Sequence, residues 1–111
     1  MKKVIKLIIA LAILAIVASL LSCSYLSHKG NAAFESINIG DSRSKVIERF
    51  GLSYVAKPAG VPYPRYGSQG CKAPCAERLW FQNTMSLDIE AWSVDFDKQG
   101  QVMEKYHWVS P

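Results

Sequence analysis

The sequence predicts an α+β fold, with short helical structure packed on a three-stranded antiparallel sheet. Three stretches carry that expectation. Val46, Ile47 and Phe50 share one helical face between Ser42 and Gly51. Ala91–Val109 alternates apolar with polar residues on either side of a turn, and Leu79-Trp80-Phe81 supplies a further apolar strand. Of the 111 residues, the first 22 form a distinct leader and 89 remain. That is room for one small domain and for neither a dinucleotide fold nor a (β/α)₈ barrel.

The leader begins with Lys2, Lys3 and Lys6 and continues through Leu7–Leu21, apolar except for Ser19. This is the layout of a secretory signal peptide over residues 1–22. Leu20-Leu21-Ser22-Cys23 resembles a bacterial lipobox. The resemblance implies cleavage before Cys23, which then carries a thioether-linked diacylglycerol and an N-acyl chain. One acyl chain holds a protein only marginally, at about 0.8 kcal/mol per buried CH₂, whereas several chains on one cysteine anchor it stably. Serine at position 24, where an aspartate would resemble an inner-membrane retention signal, implies the periplasmic face of the outer membrane. The alternative is an uncleaved inner-membrane helix, since Leu7–Ser27 holds no charged residue and a span through Leu26 is long enough. Both readings put the remaining chain outside the cytoplasm. The formal charge of +4 belongs mostly to the leader; the rest holds ten basic against nine acidic residues, so no nucleic-acid partner is expected.

Residues 23–33 show no clear period and read as the lipidated cysteine and a tether, before a domain at 34–111. Phe34, Ile37 and Ile39 are apolar anchors at its entry. Asp41 or Ser42 can cap the helix that follows, and Gly51 suits its left-handed end. Leu52–Ala76 holds four of the five prolines and reads as loop, ending in Cys71 and Cys75. Asn83–Leu87 reads as a connection and Asp97–Gly100 as a hairpin turn. In the last strand Val102, Tyr106 and Trp108 share one parity, and His107 takes the other.

Few residues suggest chemistry. In an exported chain Cys71 and Cys75 are expected to form a structural disulfide, restricting the unfolded chain by about 2 kcal/mol. Thiol exchange is the alternative, although the spacing is one residue longer than C-x-x-C. His28 and His107 have no partner at metal-ligand spacing. Asp88, Glu90, Asp95 and Asp97 match no calcium loop, and turn aspartates are common for backbone reasons alone. No catalytic group, cofactor, metal or small-molecule substrate is therefore expected. Leu79 and Phe81 have the opposite parity to Trp80, so one of these groups must face away from the main core, and Trp80 is the candidate. With Tyr63, Arg65 and Tyr66 of the proline-rich loop, it forms the expected partner surface.

Ile39-Gly40-Asp41-Ser42, Val46 and Phe50-Gly51 resemble the "I-x-x-G-x-[ST]-x-x-x-V-x-x-x-[LF]-G" segment of the SmpA/OmlA/BamE-like outer-membrane lipoproteins. Trp92–Asp97 with Gly100-Gln101-Val102 resembles that family's closing hairpin, "v-x-F-d-x-x-G-x-V". The resemblance implies an ααβββ order, Gly40, Val46, Gly51 and Gly100 as fold-defining positions, and a non-enzymatic accessory of envelope proteins such as the β-barrel assembly complex. Asp41-Ser42 replaces the assembly subunit's Met-Thr and Ser53 replaces its proline, which implies a paralogue. A periplasmic inhibitor or stress-related lipoprotein of the same fold is the remaining alternative.

Overall fold

The computed structural model describes residues 1–85 and 89–109. Ser86 and Leu87 of the expected connection, and the acidic candidate Asp88, lie outside the described residues. The elements are α1 (Lys2–Ser36), α2 (Arg43–Phe50), β1 (Tyr54–Pro58), a 3₁₀ turn (Pro64–Tyr66), β2 (Glu77–Gln82), β3 (Glu90–Phe96) and β4 (Val102–Val109). The fold is α+β, but its antiparallel sheet has four strands in the order β1-β2-β3-β4, not three.

The added strand, β1, lies within the stretch expected to be loop. It pairs only with β2, from Tyr54 opposite Phe81 to Pro58 opposite Glu77. Lys57 and Pro58 suit an edge strand, where a missing N–H is tolerated and a charge discourages further pairing.

The expected tether is also helical. Helix α1 runs unbroken from the leader to Ser36, with residues 1–21 exposed throughout and contact with the body beginning at Ser22 and Cys23. Cys23, Ser27, Gly30 and Ala33 recur at helical spacing on the side that meets the sheet. Their small size lets the helix backbone lie directly on Trp92. A Cβ built at Gly30 would stand 2.2 Å from Trp92 Cη2. The indole Nε1–H donates to Asn31 Oδ1 at 3.0 Å. Beyond the helix Ile37 is buried, whereas Ile39, expected as an anchor, is exposed.

Helix α2 follows its sequence signals. Ser42 Oγ accepts from Lys45 N, and Gly51 closes the helix at φ 57° with its N–H on Ile47 O. Val46 and Phe50 are fully buried, and Phe50 stacks on Phe81 with centroids 4.0 Å apart. These side chains, with Ala33 and Ile37, cover Leu79, Phe81, Trp92, Val94, Phe96 and Val102 on one sheet face. A bulge in the last hairpin sets Asp95 opposite Glu104 but Phe96 opposite Val102. It turns Val102 into the helix-covered core while Tyr106 and Trp108 remain on the other face, so the expected common parity fails.

Replacing Gly30 by alanine should raise helix propensity by about 1 kcal/mol. The steric conflict with Trp92 opposes that gain, and overpacking of this kind costs about 1–3 kcal/mol. Gly30→Ala is therefore predicted to lower the urea midpoint of the detergent-solubilised chain, read by tryptophan fluorescence; a higher midpoint would contradict the close approach of α1.

Candidate functional site: the loop-covered face of the sheet

The face away from the helices carries Arg78, Trp80 and Gln82 from β2, Ser93 and Asp95 from β3, and Glu104, Tyr106 and Trp108 from β4. Of the two groups, Trp80 is the one that points away from the main core, but it is only 1% exposed and is no free contact surface. The proline-rich loop folds over it. Tyr66 stacks on the indole at 4.8 Å with an interplanar angle of 8°, and Tyr63 meets it edge-on at 5.3 Å. Trp108 closes a third side at 5.2 Å and donates its Nε1–H to Ser93 Oγ at 2.8 Å. Tyr66 O–H donates to Gln82 Oε1 at 2.7 Å, and burial raises the Tyr66 pKa. Of the four residues expected to form the partner surface, Arg65 is exposed, Tyr63 and Tyr66 are half-buried, and Trp80 is core. Aromatic packing of this kind adds about 0.5–1.5 kcal/mol per pair beyond area burial.

Beside this aromatic stack lies a buried ion pair. The Arg78 guanidinium donates through Nε to Asp95 Oδ1 and through Nη2 to Oδ2, the latter at 3.0 Å. Nη1 donates to Ser68 Oγ at 3.0 Å, which ties the loop to the sheet. Its hydrogen bonds to Asp95 raise the Arg78 pKa further. Tyr106 O–H donates to Glu104 Oε2, which raises the tyrosine's pKa.

Cys71 and Cys75 are disulfide-bonded, with Cα atoms 6.0 Å apart, and both are buried. The ring is joined to the start of the loop by Gly60 N–H donating to Cys71 O at 2.9 Å. It borders a cleft of about 350 Å³ shared with Lys72, Arg78, Asp95, Glu104 and Tyr106. The two sulfurs and an Asp95 oxygen lie within 4.8 Å of one another. The sulfurs are bonded to each other and the carboxylate is engaged by Arg78, so the trio presents no free metal donor set in this state.

The other acidic candidates have structural partners. Asp97 Oδ1 accepts from the N–H groups of Gln99 and Gln101 and so shapes the hairpin turn. Glu90 Oε1 accepts from Asn83 Nδ2 at 3.0 Å, and Oε2 accepts from Ser27 Oγ at 3.2 Å and meets His107 Nε2 at 3.1 Å. His107 is exposed, as an outward strand residue would be, but it lies on the helix-covered side, stacked on Trp92 at 5.3 Å, and not on the opposite face. His28 is exposed on α1. Asn83 Nδ2 also donates to Cys23 O at 3.2 Å, so this cluster joins Cys23 to the sheet. Sequence reading missed the cluster because bonded partners such as Ser27 and Glu90 stand 63 residues apart and share no motif.

Two of the four positions taken as fold-defining, Gly40 and Gly100, come together in space. Gly40 N–H donates to Val102 O at 2.8 Å, Arg43 N–H to Gly100 O at 3.0 Å, and Val102 N–H to Asp41 O at 2.9 Å. Gly40 and Gly100 have φ of 94° and 74°, conformations that strain other residues.

Removing one partner of the buried pair leaves an uncompensated charge. Asp95→Ala is predicted to cost about 3 kcal/mol in urea unfolding, and the double replacement Arg78→Met with Asp95→Leu to recover most of it. A loss below about 1 kcal/mol for the single variant would place the pair among solvent-screened ones. No family model, curated protein or solved structure matches this chain.

Proposed function

We propose that this chain is a lipid-anchored periplasmic protein-binding module, working as an accessory in outer-membrane protein assembly or envelope maintenance. The observation that carries the reading is where α1 changes character. Residues 1–21 are exposed throughout, and substantial packing begins at Ser22 and Cys23, the junction where the lipobox resemblance implies cleavage. Cleavage there removes an element the body does not need and leaves Cys23 at its surface. The hydrogen bonds between 40–43 and 100–102 support the family resemblance, because its two weak segments meet in one structural unit. In this reading β1 is an addition to the ααβββ order, and its loop carries the paralogue's own features. Arg65 and Tyr106 are exposed residues of types that recur in protein contacts.

A second reading is favoured by the continuity of α1 across residues 22 and 23: an uncleaved helix spanning the inner membrane. Native detergent extraction, followed by intact mass of the chain and identification of co-purifying proteins, tests both. The first reading predicts a chain beginning at acylated Cys23, with β-barrel assembly subunits or other envelope proteins bound. Retention of Met1 without an acyl adduct would transfer the case to the spanning helix. Recovery of the acylated chain with no envelope protein would overturn the protein-binding role.

A further inference from the structure

The body has two distinct ends. One holds Gln82, Glu90, Val109 and the beginning of the packed part of α1. The other holds the Asp97–Gly100 turn, Gly40 and the disulfide-bordered cleft. At the first end an open apolar notch is lined by Leu21, Ser22, Tyr25, Leu26 and Met85. Tyr25 is 63% exposed and Met85 44%, and Val109 is exposed nearby at the end of β4.

We infer that this notch is a membrane-contact rim: Tyr25, Leu26 and Met85 sit in the bilayer interface and hold the body upright on its anchor. The inference rests on the membrane-anchored reading above: a spanning helix keeps the whole notch, whereas a lipid at Cys23 keeps Tyr25, Leu26 and Met85 and loses Leu21 and Ser22 with the cleaved leader. Its occupant follows from continuity. The most apolar 18-residue window of α1 has a mean hydropathy of 2.9 and none of it is buried. The same unbroken helix supplies Tyr25 and Leu26. At 1.5 Å per residue, Leu26 lies about 5 Å beyond Cys23, inside the headgroup layer of either anchor. Tyrosine favours this layer because its ring is apolar and its hydroxyl is wet. The one carboxylate described in the adjoining cluster, Glu90, is already engaged by Ser27, Asn83 and His107 and turns no unpaired charge toward lipid.

The rim also fixes an orientation. Strand β3 spans its seven residues between the two ends. At about 3.3 Å per residue it holds the disulfide-bordered cleft roughly 20 Å above the rim, facing away from the bilayer. A protein partner would approach that end.

The test uses the full chain reconstituted in phosphatidylethanolamine–phosphatidylglycerol vesicles, with a photoreactive diazirine residue introduced at Tyr25, at Met85 or, in the distal turn, at Lys98. Phospholipid adducts at Tyr25 and Met85 and none at Lys98 are expected. Vesicle flotation without adducts at Tyr25 and Met85 would overturn the rim while leaving the anchor intact. Equal adducts at Lys98 would overturn the upright orientation. A chain that fails to float would overturn the anchored reading as well.

Discussion

Trp92 lies against the backbone of α1 at Gly30, and much of the architecture follows from that approach. A larger residue at position 30 would hold the helix off the sheet. With glycine there, the indole reaches Asn31, Ala33 and Ile37 join the core, and the chain then turns through Gly40 to set α2 over Phe81. The same helix carries the apolar leader, so the element expected to anchor the protein is also an element of its core. An anchor joined through a flexible tether would leave the body free to tumble; under the proposed anchoring, a continuous helix would fix its attitude.

The sheet has two covers of different kinds. One face is dry and aliphatic-aromatic beneath two helices. The other is an aromatic stack on Trp80, stitched at its margin by the Arg78–Asp95 pair, Ser68 and the disulfide. The loop cover has no regular backbone pairing of its own for most of its length, so side-chain stacking and the short cysteine ring hold it. That division agrees with the size of the domain, which is too small to rely on a single large core.

Helix α2 and the last hairpin were legible in the sequence because large apolar residues mark their periods and Ser42, Gly51 and Gly100 punctuate them. Strand β1 was not: five residues ending in Lys57-Pro58 resemble loop until β2 is there to pair with them. The docked part of α1 escaped a search for large apolar residues, since its buried face is Cys23, Ser27, Gly30 and Ala33. The parity of Trp80 was readable, but its cover was not, because Tyr63 and Tyr66 come from an aperiodic segment. One bulge was enough to put Tyr106 and Trp108 on the face opposite Val102, although the three share parity in the sequence. The Asn83–Glu90–Ser27 cluster depends on contacts across most of the chain and leaves no local signature.

The account depends on residues 23–36 being a docked helix. Hydrogen exchange of the full chain in detergent measures this directly, amide by amide. The account predicts that amides from Ser27 to Ser36 exchange as slowly as those of β3, whose central residues are buried. Exchange of that segment at the rate of an open chain, beside a protected β3, would contradict it and return residues 23–33 to the status of a tether.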